Sequence, residues 1–198
     1  MLSELTFEIR PSPATNDHEV RVLVDGRDIL GDQYIGIDPP EFFCQFFQSD
    51  TEDLLVGRCC CGVVGCGDCI VTVARDREVV RWSGHKAFVF NRTQYDAAVQ
   101  RAAQDSSWED SNRRAERLVN DLLRGLRTQD GFQFDWASAR MSPNVIKLSF
   151  SNDVTQKFVE FAWDGKTEES ATRAASLQKE QLVGPGLLDP LIEEPPHL

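Results

Sequence analysis

No apolar run in this chain approaches the roughly 20 residues that a membrane-crossing helix needs, so no membrane span is expected. The first ten residues set Glu4 and Glu8 among apolar positions and lack the basic start of a secretory signal. A cytoplasmic location is therefore expected, where thiols stay reduced. Positive charge is also scarce: 21 Lys and Arg stand against 32 Asp and Glu, for a formal net charge of -11. That excess repels phosphate backbones and anionic lipid, which argues against nucleic acid and membrane surfaces as main partners and favours a basic protein partner. There is no glycine-rich phosphate cradle, no H-E-x-x-H and no G-x-S-x-G. Only three histidines are present, His18, His85 and His197. His85 follows Trp82-Ser-Gly84 and suits a turn, with service to a nearby cysteine as the other option. Enzyme activity is not expected.

What is present describes a folded protein. Hydrophobic residues make up 41% and charged residues 27%, in a chain long enough to bury a core without cross-links. Leu5, Phe7 and Ile9 alternate with polar neighbours, as do Val20, Val22 and Val24, and Asp25-Gly26 supplies a turn. Asp38-Pro39-Pro40 precedes the aromatic stretch Glu41–Phe47, expected as a turn or two of helix pressed into the core, with Cys44 as a small buried side chain. Leu54–Val56, Ile70–Ala74, Val79–Trp82 and Lys86–Phe90 have the β-branched and aromatic texture of a strand meander. Asn91 with Gln94 forms a near capping box before a helix through Tyr95, Ala98, Val99 and Ala102.

A second helix is spelled by Ala115, Leu118, Val119, Leu122, Leu123 and Leu126, with Gly125 weakening its last turn. Arg113, Arg114, Arg117, Arg124 and Arg127 are read as its solvated face, interleaved with Glu116 and Asp121. The remaining carboxylates are read as solubilising surface. Three more strands follow at Phe132–Trp136, Val145–Phe150 and Lys157–Trp163, and Thr167 caps a helix through Ala171, Ala174, Ala175 and Leu182. Runs of strands interrupted by a helical block predict an α+β fold. The strands are mainly antiparallel in a meander, with two or three amphipathic helices packed on one side. Residues 1–182 are expected to form one domain, and residues 183–198 a Pro/Gly-rich tail.

Five of the six cysteines fall within eleven residues, Cys59-Cys60-Cys61-Gly-Val-Val-Gly-Cys66-Gly-Asp-Cys69. Along a strand Cys59 and Cys61 point to one face and Cys60 to the other. Cys66-Gly-Asp-Cys69 has the spacing of a zinc knuckle, so Cys59, Cys61, Cys66 and Cys69 are the expected ligands of a closed, structural zinc site. A second option takes Cys61, Cys66 and Cys69 as a C-x4-C-x2-C set for a [2Fe–2S] cluster. A third is a bare glycine-rich hairpin with reduced thiols and no cofactor, as plausible as metal. A thiol/disulfide switch is a smaller fourth, with Arg58 as the nearby cation that would lower a thiol pKa.

The stretch Cys61-Gly-Val-Val-Gly-Cys66-Gly-Asp-Cys69 resembles the cluster loop of ferredoxin domains in the xanthine dehydrogenase family, and Leu23-Val-Asp-Gly26 resembles their early strand and turn. That resemblance implies iron ligation by Cys61, Cys66 and Cys69. A longer resemblance runs through Val-Asp-Gly26, Gly57-Arg58-Cys-x-Cys-Gly-x-x-Gly-Cys66-Gly, Val79-Val-Arg-Trp82 and Phe90-x-x-x-Gln94-Tyr95. It is to a family of uncharacterised bacterial proteins of about this size, and implies a shared fold. Together these features predict a non-enzymatic, acidic protein-binding module with a Cys-rich loop at residues 58–69. A small redox protein is the alternative.

Overall fold

Alternation and a two-residue turn set the first sheet. In the computed structural model, which describes residues 1–12, 17–47, 53–61 and 65–183, strand β1 (Leu5–Pro11) pairs antiparallel with β2 (His18–Val24) in unbroken register from Leu5↔Val24 to Pro11↔His18. Asp25 and Gly26 both take positive φ, which a tight hairpin turn demands. They return the chain as β3 (Arg27–Asp28) along β2. After β4 (Tyr34–Ile35), helix α1 (Pro39–Cys44) and a 3-10 turn (Gln45–Phe47) bring Phe42, Phe43 and Phe46 against Phe7, with ring centroids 5.4–6.2 Å from it. The expected small buried role of Cys44 is not met: it faces solvent at the end of α1 and its thiol donates to the Glu41 carbonyl. Helix periodicity explains this, since the inward positions go to Phe42 and Phe43.

The expected meander follows as β5 (Asp53–Cys59), β6 (Cys69–Arg75), β7 (Val79–Gly84) and β8 (Phe88–Asn91), antiparallel throughout, with β4 on the outer side of β5. The Asn91 side chain accepts the Gln94 N–H and opens α2 (Arg92–Gln104) as the capping pattern predicts. Helix α2 buries Tyr95, Ala98 and Val99. Trp82 is fully buried and donates its indole N–H to the Tyr95 hydroxyl at 3.1 Å. Burial pushes the Tyr95 phenol up to about 12, with the Trp82 hydrogen bond pulling the other way.

A second set of elements starts at α3 (Ser111–Leu123), capped by the Asp110 carboxylate accepting the Arg113 N–H. Its end corrects the sequence expectation. The helix stops at Leu123, and Gly125 at φ 75 turns the chain so that Leu126 still reaches the core from beyond the helix. Strands β9 (Gln133–Ser142), β10 (Val145–Ser151) and β11 (Gln156–Ala162) form an antiparallel sheet, and Thr167 accepts the Ser170 N–H at the start of α4 (Glu168–Val183). Ala115, Val119 and Leu123 of α3 and Ala171 and Ala175 of α4 cover Phe134, Ile146, Leu148 and Phe150 of the sheet.

Two expectations about charge are overturned here. Arg113 and Glu116 are 7% and 4% exposed, not solvated. The Glu116 carboxylate accepts from the Ser138 hydroxyl, the Ala139 N–H, Arg140 and Arg113, all at 2.8–3.1 Å. A buried carboxylate is tolerated only with such a full set of donors. Glu109, also buried, takes both ends of the Arg117 guanidinium fork.

The α+β class and the antiparallel meander are as expected, with four α-helices and eleven strands among the described residues. The chain gathers into two compact units, Met1–Trp108 and Glu109–Leu198, each around its own cluster of buried apolar side chains. Of the expected tail at 183–198, Val183 closes α4 and the rest lies outside the described residues.

Candidate metal centre

The cysteine segment joins β5 to β6, and its position is set by the strand pairing on both sides. Leu55 pairs with Ile70, then the register shifts so that Gly57 faces Cys69. A side chain at Gly57 would meet Leu30 Cδ2 at 2.7 Å and the Ile35 carbonyl at 3.0 Å, so only glycine lets β4 lie this close to β5. Through that approach Tyr34 pairs with Cys59, Ile35 pairs with Arg58, and the Cys60 N–H reaches the Gln33 carbonyl at 3.3 Å.

Strand β4 and the residues flanking it are in turn tied to β2. Arg21, 2% exposed, donates to the carbonyls of Tyr34 and Gly31 at 2.8 and 2.6 Å and pairs with Asp28. Its neighbour Glu19 accepts the Gly36 N–H at 2.9 Å. Neither residue stood out in the sequence. The only signal was a charge on each side of Val20 in a strand that is otherwise apolar on its buried face.

At the tip, the Sγ atoms of Cys59, Cys61 and Cys66 lie within 4.8 Å of one another. Cys59 is half-buried, while Cys61 and Cys66 face solvent. Gly65, at φ 77, bends the chain back, and its N–H points to the Asp68 carboxylate at 3.3 Å. The other Asp68 oxygen is buried without a protein hydrogen-bond partner. The structure thus brings together three of the four cysteines named from the sequence. Cys69 opens β6, is 1% exposed and belongs to the apolar core, outside the three-thiol group. The set Cys61, Cys66 and Cys69 is likewise not gathered at one point. The x2 spacing that resembles a knuckle is used differently: Cys66 ends the turn and Cys69 has already entered the strand.

The thiols perturb one another. The Cys66 thiol is pushed up by its hydrogen bond with the Cys61 thiol, and then by the charges Cys61 and Cys59 would carry. At Cys59 the strongest single influence, the Cys61 backbone N–H, favours thiolate, but the Cys61 thiol, slight burial and the neighbouring cysteines outweigh it and the pKa rises. Arg58 does not relieve this, since its guanidinium is engaged by Glu41 at 2.9 Å. Burial raises Cys69, opposed by Lys86. None of the six cysteines is in a disulfide. His85 stands with its ring 5.4 Å from that of Tyr34, outside the thiol group.

Three converging sulfurs, joined by no His, Asp or Glu side chain among the described residues, make a group able to hold a metal ion, and soft thiolate sets of this kind suit zinc, copper(I) or iron–sulfur chemistry. Among the described residues, no helix is long and apolar enough to cross a membrane. The molecule is thus an α+β protein carrying a surface three-cysteine centre. Comparison with protein families, curated proteins and solved structures gives no match.

Proposed function

We propose that this chain is a non-enzymatic, acidic protein-binding module whose β5–β6 hairpin is held by zinc on Cys59, Cys61 and Cys66. The observation that carries the zinc assignment is the convergence of three sulfurs within 4.8 Å at the end of two paired strands. Zinc prefers sulfur and nitrogen donors and imposes no redox chemistry. Zinc binds the thiolate form, so its binding displaces protons from the cysteines and strengthens as pH rises. The partner is a basic protein, drawn by the net charge of -11, and its association weakens with added salt.

Elemental analysis of native protein tests the assignment. About one zinc per chain is expected, with a chelator lowering the melting temperature. Ser substitution at Cys59, Cys61 or Cys66 should lower zinc content, while Cys44→Ser should not. Metal-free native protein whose melting ignores chelator would overturn the assignment, and visible absorption bands would move it to iron–sulfur.

A further inference from the structure

Resting on the metal assignment above, we propose that the described residues leave the fourth coordination position of the centre open and that it takes there a neutral, imidazole-type nitrogen donor. Closed structural zinc sites use four protein ligands, whereas three protein ligands leave a position for an incoming molecule. Here the group contains three sulfurs, and among the described residues no other Cys, His, Asp or Glu offers an atom to it. The two nearest further cysteines are accounted for in other ways. Cys69 is enclosed in the apolar core. Cys60 is exposed and its sulfur lies outside the three-thiol group.

Access from solvent follows from the exposure of Cys61 and Cys66. Charge selects the incoming donor. Three thiolates around a divalent ion leave one net negative charge, Asp68 adds another beside the turn, and the whole chain stands at -11. A fourth thiolate or carboxylate would add to that repulsion, while imidazole completes the tetrahedron without changing the charge. The centre would in this way be a docking point for a histidine side chain or a small heterocycle, in addition to a clamp on the hairpin.

Cobalt(II) in place of zinc gives the readout, because sulfur-to-cobalt charge transfer reports the thiolates and the ligand-field bands report the fourth donor. In the full chain, imidazole should shift the ligand-field bands saturably and leave the charge-transfer intensity unchanged, and 2-mercaptoethanol should need a higher concentration to act. Cys60→Ser and Cys69→Ala should respond as the unaltered protein does. Charge-transfer bands with no response to imidazole would overturn the open position while leaving the metal assignment intact. A spectrum that depends on protein concentration and ignores imidazole would mean that a second copy closes the site, which also overturns it. A stronger response to the thiol would overturn the neutral donor. No charge-transfer band at all would remove the metal assignment and this inference together.

Discussion

The two units enclose charge in the same way but differ in what they leave outside. In residues 1–108 the buried pair Glu19 and Arg21 meets carbonyls, a backbone N–H and Asp28, and in residues 109–198 the buried Glu116 meets Arg113, Arg140, Ser138 and a backbone N–H. Each cluster fastens neighbouring segments of its own unit: β2 to β4 and the residues flanking it, or α3 to β9. Among the described residues, only the first unit also gathers thiols at its surface, where three face one another. Enclosed charges with every donor and acceptor matched hold a fold in place. Thiols that converge at a solvent-exposed turn form a group able to hold an ion.

The largest expected effect would test whether the two charge clusters are equivalent. Glu116→Ala removes the carboxylate that Arg113 and Arg140 share and should destabilise its unit by about 3–5 kcal/mol in denaturant unfolding, whereas Arg21→Ala leaves Glu19 its pairing with Arg10 at 3.3 Å and should cost less. The comparison breaks at zinc. Arg21→Ala should also weaken zinc binding, because Arg21 anchors the segment that pairs with Cys59, whereas Glu116→Ala should leave zinc content unchanged. Equal zinc content in both variants would show that β4 does not position the thiols.

Alkaline pH separates the units next, since both tyrosines, Tyr34 and Tyr95, lie in the first. Tyr95 has its folded pKa raised from an ordinary 10.0 to about 12. Between those values the unfolded chain has lost the phenol proton and the folded chain retains it. The stabilisation is complete below pH 10 and is lost as pH rises through about 12, by up to about 3 kcal/mol. Tyr95→Phe should flatten that slope in unfolding measured from pH 9 to 12, at the cost of leaving the Trp82 N–H without its partner.

The smallest effect sharpens the distinction among the cysteines themselves. Cys69→Ser places a hydroxyl in the apolar core and should cost about 1–3 kcal/mol while zinc stays bound. Cys44→Ser, at an exposed site, should stay within about 0.5 kcal/mol. Loss of zinc in Cys69→Ser would return Cys69 to the ligand set.

Much of the fold was legible in the chain because local signals agreed with tertiary demands. Alternation marked the hairpin of β1 and β2, Asn91 and Thr167 marked two helix starts, and the β-branched segments marked the meander. The errors share one cause. Burial of Arg113 and Glu116, and exposure of Cys44, depend on what packs opposite each residue, and nothing in local spacing reports that. Of the four cysteines named from the sequence, the structure brings Cys59, Cys61 and Cys66 together, and Cys69 could not be separated from them without knowing that it pairs with Gly57.

The sequence alone determined that this is an acidic α+β chain with a thiol-rich turn between two strands, because composition and side-chain periodicity act over a few residues. Only the tertiary structure decided which thiols meet. That choice depends on a register shift at Gly57, on the closeness of β4 and on the core that claims Cys69, all of which join residues far apart in the chain.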